Sequence, residues 1–271
     1  MRKILLFDGT GMVYRGYYAL RNLENSKGQA VGGILGFFNI LFKELINHKP
    51  SHFALCFDRP EPTHRKIEYP EYKANRSKAP DDLYEQIRPI KEILKNGINI
   101  TERPGDEADD LIACLNAQKT ASDQVYVYSS DLDLLQLADQ NTTIIKPGNS
   151  KIVDTYFTPE KIYEKYQLTP TQIIDYKGIR GDSSDNLKGV HGVGDKTATK
   201  LLNQYGSLEA IYENLNDLKP KMQEKFIQDK DTALMCKRLA TLNHKINNCP
   251  PLEEFQNNHI QYEKLQEAFE N

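Results

Sequence analysis

The chain has 271 residues, with 35 Lys and Arg against 38 Asp and Glu, a formal net charge of −3, and 39% hydrophobic residues. At about 100 to 200 residues per domain this is one or two soluble globular domains with a sizeable core. No apolar run approaches the roughly 18 residues of a membrane span. The N-terminal MRKILLFDG loses its apolar run at Asp8, too early for a signal-peptide core, so a cytoplasmic chain is expected. Cys56, Cys114, Cys236 and Cys249 lie far apart with no Cys-x-x-Cys, which argues against zinc and for separate, buried, reduced thiols.

In chain order, three short apolar runs share an ending: KILLFD (3 to 8), HFALCFD (52 to 58) and VYVYSSD (125 to 131). Each reads as a buried strand closed by an aspartate, and the intervals leave room for helical crossovers, so a parallel sheet is predicted. Ligands of such sheets bind beyond the carboxyl ends of the strands, where Asp8, Asp58 and Asp131 would converge. GGILGFFNILFKELI (32 to 46) and DDLYEQIRPIKEIL (81 to 94) have helical spacing, the second with a core stripe of Leu83, Ile87, Ile90 and Leu94. Between His64 and Lys78, HRKIEYPEYKANRSK carries Arg65, Lys66, Lys73, Arg76 and Lys78 interleaved with Tyr69 and Tyr72, a basic aromatic segment in an acidic protein.

GDEADDLIACL (105 to 115) is a helix start with more acid than a helix dipole calls for; Glu107 and Asp110 share one face and Asp109 is adjacent. After Tyr166 the pattern turns to short helices: LTPTQIIDYKGI, then IRGDSSDNLKGVHGVGDKTA (179 to 198), KTATKLLNQYG, SLEAIYENL and DTALMCKRLATL. The predicted boundary is near 166, with an α/β core over 1–166 and a helical domain over 167–271. A terminal helix is expected through Tyr262, Leu265 and Phe269.

The candidate site acids are Asp8, Asp58, Glu107, Asp109, Asp110, Asp131, Asp133, Asp182 and Asp185. That many bare anions repel one another by several kcal/mol in one low-dielectric cleft, and divalent cations resolve the repulsion. All-oxygen ligands without His or Cys select hard ions, Mg²⁺ or Mn²⁺. Two such ions about 4 Å apart serve in-line displacement at phosphorus, so the acids predict a phosphate or phosphodiester hydrolase. GVHGVGDKT (189 to 197) is no P-loop, because Asp195 separates Gly194 from Lys196. Asp8-Gly-Thr-Gly lacks the second aspartate of phosphatases with a strand-end nucleophile, since that position is Thr10. Gly192 and Gly194 before a helix instead allow close backbone approach, so that N–H groups and Lys196 can hold a phosphate without reading a base.

Together, Asp8, Asp58, EADD (107 to 110), SSDLDLL (129 to 135), GDSSDN (181 to 186) and GVGDKTA (192 to 198) resemble the 5′-nuclease family. That family comprises the 5′→3′ exonuclease domain of bacterial DNA polymerase I and the flap endonucleases. The resemblance runs in order from about residue 3 to about 245. It implies a resolvase-like (PIN-like) α/β domain joined to a helix-hairpin-helix domain, removing 5′ flaps and RNA primers from branched or nicked DNA. It places Asp8, Asp58, Glu107, Asp109 and Asp110 around a first metal ion and Asp131, Asp133, Asp182 and Asp185 around a second. Asp109 or Asp131 would bridge the two, and a potassium ion would sit at the hairpin. Lys73, Arg76 and Arg15 match family contacts to phosphate, and Tyr72 an aromatic that stacks on the nucleotide. The helix after the basic segment would border an arch for a single-stranded 5′ end.

Lys188 stands where polymerase I relatives often have proline. The chain ends at Asn271 with no polymerase domain, so a stand-alone nuclease or an excised domain is expected, active because all nine acids are present, monomeric, and partnered by DNA and a DNA polymerase. The competing readings are a single-strand ribonuclease of a related fold, which needs no residues 166 to 245, and a catalytically silent module that binds branched DNA.

Overall fold

The computed structural model describes residues 1–149 and 151–259, with Glu263, Lys264 and Glu267; the C-terminal stripe expected through Tyr262, Leu265 and Phe269 lies outside the described residues. The first part of the chain alternates strands and helices: β1 (Lys3–Asp8), α1 (Gly9–Ala19), α2 (Gly32–His48), β2 (His52–Phe57), α3 (His64–Glu68), α4 (Asp81–Lys95), β3 (Ile100–Glu102), α5 (Ala108–Asn116), β4 (Gln124–Tyr128), β5 (Thr142–Lys146), β6 (Thr155–Phe157) and α6 (Pro159–Tyr166). The sheet order is β3-β2-β1-β4-β5-β6. The first five strands are parallel and β6 pairs antiparallel to β5. The chain goes one way from β1 to β2 and β3 and the other way to β4 and β5, so a crevice opens at the carboxyl ends beside β1.

Period-two alternation divides the strands between two cores. Leu5, Phe7, Phe53, Leu55 and Phe57 pack under α1, α2 and α4. Ile4, Leu6, Ala54, Cys56, Val125 and Val127 pack on α5, in a cluster that continues into the helical part through Ile173, Ile179, Val190, Leu202 and Phe226. One continuous apolar core therefore joins sheet and helices.

The helical part comprises α7 (Gln172–Arg180), a small hairpin of β7 (Gly181–Asp182) and β8 (Leu187–Lys188), then α8 (Asp195–Tyr205), α9 (Leu208–Glu213), α10 (Pro220–Gln228) and α11 (Lys230–Ala240). At Gly181 the backbone turns through φ +79, a region open to glycine, and this swings Asp182 from the end of α7 toward the sheet. Among the described residues no helix is long and apolar enough to cross a membrane.

Two long-range ties close the molecule. Cys114 on α5 and Cys249 form a disulfide across 135 residues, which corrects the expectation of four separate thiols. The segment after α11 runs back over α5, where Gln118 donates to Cys249 Sγ at 3.3 Å and to the Pro250 carbonyl at 2.9 Å. Cys56 and Cys236 are buried free thiols. The second tie is Arg65, 2% exposed. Its guanidinium binds both oxygens of Asp110 at 2.6 and 2.7 Å and donates to the Leu239 and Thr241 carbonyls at 2.7 and 3.0 Å. It thus fastens α3 and α5 to the end of α11. Replacing Arg65 by Met is expected to leave the Asp110 charge buried and uncompensated, costing about 3–5 kcal/mol in urea unfolding; a loss below about 1 kcal/mol would contradict this clamp.

Candidate metal centre

Each acid of the first cluster is set by a local structural device. Asp8 ends β1 and caps α1: its Oδ1 accepts the Gly11 N–H at 2.7 Å, and its Oδ2 accepts the Ser129 hydroxyl at 2.9 Å. Asp58 follows β2 directly and accepts the Ala108 N–H at 2.8 Å, while its own N–H goes to Thr10. Glu107 is the N-cap of α5, in a capping box with Asp110. Asp131 lies three residues beyond β4, which ends earlier than the run VYVYSSD predicts; the Ser129 N–H still reaches the Ile145 carbonyl of β5 at 3.1 Å, while its hydroxyl donates to Asp8 and accepts the Asp131 N–H. Asp8, Asp58, Glu107, Asp109, Asp131 and Asp182 line one cleft of about 1280 Å³ together with Arg15, Lys73 and Arg76.

Burial and crowding give the first cluster perturbed acidities. Burial, then the neighbouring Asp58 charge, pushes the Asp8 carboxyl up to about 7. Burial with Asp131 and Asp8 pushes Asp109 well above the carboxylate range. Asp131 is also raised by burial, against the pull of Lys177. Among the described residues none of Asp8, Asp58, Asp109 or Asp131 has an ion-pair partner within 4.0 Å. Desolvated carboxylates with an all-oxygen donor set and no side-chain counterion fit hard divalent cations, which would hold them ionised.

The second cluster is compensated differently. Asp133, Asp182 and Asp185 can bring one oxygen each within 4.8 Å of one another. Lys177, in the last turn of α7, reaches Asp182 Oδ2 at 2.6 Å and also pairs with Asp133. Burial opposes ionisation of Asp182, but Lys177 and the Ser184 hydroxyl outweigh it and hold the carboxyl at about 2. Asp185 Oδ1 takes Arg76 at 2.5 Å and its Oδ2 the Tyr72 hydroxyl at 3.2 Å.

The expected site residues thus fall into four groups. The acids converge, apart from Asp110, whose oxygens are both held by Arg65, with Asn243 and Glu107 N–H groups adding to them; it organises α5 instead of lining the cleft. The same guanidinium disqualifies a third acidic grouping, His64 with Asp106 and Asp110, as a cation site. Lys73, Arg76 and Arg15 reach the cleft; Lys73 sits at φ +56, bonds Glu107 at 2.9 Å and takes the Asp185 carbonyl through its N–H. Tyr72 departs from the stacking role: the residue is 4% exposed and its hydroxyl is shared by Glu107 and Asp185, so it supports the acids from within.

Gly192, Gly194 and Lys196 stand away from the cleft, at the mouth of α8. Gly192 adopts φ +68 with its carbonyl bound by Lys225, and Gly194 is an exposed N-cap with open space where a Cβ would lie. Arg65 and Lys177 are the functional residues that sequence reasoning missed. In sequence one is a member of a basic run and the other an ordinary cation in a last helical turn.

The acidity of Asp8 sets a pH dependence. Its folded value lies above the unfolded one, so without cations its contribution to stability is present below about pH 4 and is lost as pH rises through about 7. Thermal unfolding in EDTA should therefore weaken by a few kcal/mol over that window, and Mg²⁺ should restore stability most at the high-pH end. A profile unaffected by Mg²⁺ would contradict the assignment.

Comparison with known proteins gives the same architecture a family. The family model described as 5′-3′ exonuclease, N-terminal resolvase-like domain, matches residues 3–167, and that described as 5′-3′ exonuclease, C-terminal SAM fold, matches residues 168–263. The 5′-3′ exonuclease of Aquifex aeolicus is 43% identical over 217 residues, covering 79% of this chain and 73% of that protein. DNA polymerase I of Bacillus subtilis is 43% identical over 245 residues, 89% of this chain; the chain spans 28% of that polymerase's length. Among solved structures, T5 D15 protein co-crystallised with metal ions superposes with a TM-score of 0.74 at 18% identity, covering 99% of both chains. The catalytic core of Rad2 in complex with DNA substrate gives 0.60 at 16%, covering 98% and 90%. The chain belongs to the 5′-3′ exonuclease family, built as a resolvase-like domain with a mixed, largely parallel sheet followed by a SAM-fold helical domain.

Proposed function

We propose that the chain is a structure-specific 5′ nuclease that uses two Mg²⁺ or Mn²⁺ ions to hydrolyse phosphodiesters near a single-strand/duplex junction, removing 5′ flaps and primer ends. The observation that carries this reading is the meeting, in one cleft, of uncompensated carboxylates with the cations Arg15, Lys73 and Arg76. Asp8, Asp58, Glu107, Asp109 and Asp131 would hold one ion, and Asp133, Asp182 and Asp185 the other. Such ions activate water and stabilise the leaving oxygen at phosphorus. Lys73 and Arg76 orient the phosphate above the carboxylates, and Glu107 and Asp185 keep those two side chains aimed.

The exposed start of α8, with Gly194 and Lys196, supports a base-independent grip on duplex phosphate, with K⁺ held beside it. Because Asp182 and Asp185 lie in the hairpin between α7 and α8, gripping the duplex fixes its distance from the cleft. Residues 1–166 and 167–271 would act as nuclease and DNA-binding domains of a monomer that works beside a DNA polymerase.

A gel time course on a 5′-flap duplex labelled at the flap end tests the reading. Mg²⁺-dependent release of an oligonucleotide cut within about a nucleotide of the junction is expected, with EDTA abolishing it. Asp182→Asn combined with Asp185→Asn should slow cleavage by at least about 100-fold. Tight flap binding without turnover would instead mark a silent branched-DNA module, and full activity without residues 167–245 a single-strand ribonuclease. In binding titrations, affinity should fall steeply with salt, and Lys196→Ala should lower the salt slope by about one; an unchanged slope would remove Lys196 from the grip.

A further inference from the structure

The two acidic clusters differ in what neutralises them. Among the described residues, the hydrogen-bond donors to Asp8, Asp58 and Asp131 are neutral: the N–H groups of Gly11, Ala108 and Asp133 and the Ser129 hydroxyl. The second cluster already contains cations. The Lys177 ammonium bridges Asp133 and Asp182, with its side chain only 14% exposed, and Arg76 takes Asp185. A divalent ion entering between Asp133, Asp182 and Asp185 meets carboxylates whose charge is already shared.

Lys177 is placed there by the fold. Its helix, α7, packs on α11, with the Gly178 Cα facing Lys237 and Ala233 so closely that a Cβ would lie 2.9 Å from the Lys237 side chain. The Lys177 carbonyl is also bound by Cys236 Sγ at 3.0 Å. The chain then reverses through Gly181 and returns Asp182 to the ammonium five residues after it. Backbone and helix are fixed, while the long side chain borders the open cleft and has room to swing into it.

Resting on the metal-nuclease reading above, we propose that Lys177 is a built-in counterion of the second acidic cluster, which a divalent cation binds only by displacing the Lys177 ammonium. The two positions therefore load unequally. The first fills in the free protein, and the second fills at higher cation concentration, or when an anion in the cleft offers Lys177 another partner. A DNA phosphate is such an anion, since Lys177 borders the same cleft as Arg15, Lys73 and Arg76. Loading of the second position would then report that a phosphate has arrived.

Calorimetric titration of Mn²⁺ into the cation-free full chain tests this directly. The natural protein should show one strong and one weak site. Lys177→Met should tighten the weak site at least tenfold and leave the strong one unchanged, whereas Lys177→Arg, which keeps the positive charge, should leave both as they were. Two equal sites in the natural protein, or a weak site unchanged or weakened in Lys177→Met with its circular dichroism intact, would overturn the proposal. Should Lys177→Met fail to fold, the concentration at which inorganic phosphate tightens the weak site in the natural protein replaces it: tightening supports displacement, and no effect overturns it. Absence of flap cleavage with unequal Mn²⁺ sites would sink the nuclease reading alone, while cleavage with equal sites would sink only the role of Lys177.

Discussion

The mutual repulsion of carboxylates at one end of a sheet is the constraint around which this molecule is arranged. Parallel pairing brings the ends of β1, β2 and β4 side by side, and each delivers an aspartate to the same rim. The start of α5 adds Glu107 and Asp109. Nothing in the apolar core rewards such crowding. The protein handles it in two ways: in one cluster it leaves Asp8, Asp58, Asp109 and Asp131 without an ion-pair partner among the described residues, with Asp8 pushed up to about 7, and in the other it supplies Lys177 and Arg76. The first arrangement favours a divalent cation, and the second keeps the hairpin folded against the sheet.

That second arrangement also explains how the two halves cooperate. Asp182 and Asp185 belong to the helical part, while Asp133 follows β4, so the second cluster exists only when both halves are docked. Docking is secured by the apolar core running from Ile4 and Leu6 to Leu202 and Phe226, and by Arg65, whose four hydrogen bonds tie α3 and Asp110 to the end of α11. The acidic rim and the exposed N-terminus of α8 are consequently held at a fixed spacing. Under the proposed function, that spacing is what would set the distance of the cut from a gripped duplex.

Much of this was legible in the sequence because strand-end aspartates, an acid-rich helix start and Gly-x-Gly before a helix each leave a local trace. The residues 32 to 46 and 81 to 94 are helical as their apolar spacing predicts. β3 and β6, of three residues each, are too short to carry periodicity, and their pairing comes from neighbours. Partners distant in sequence were hidden for another reason. Arg65 finds Asp110 45 residues away and Leu239 174 residues away, and Cys114 finds Cys249 across 135. Tyr72 lies in a basic run that reads as surface, yet Glu107 and Asp185 draw its hydroxyl inward. Local pattern reports which groups are chemically able; only the folded chain decides which of them meet.

The most direct test of the account is anomalous diffraction from crystals of the full chain grown with a short duplex and Mn²⁺. Two peaks about 4 Å apart, one among Asp8, Asp58, Asp109 and Asp131 and one among Asp133, Asp182 and Asp185, are expected. A single peak, or density beside His64 and Asp106 in place of either, would contradict the claim that the crowded carboxylates of this rim exist to hold a pair of cations.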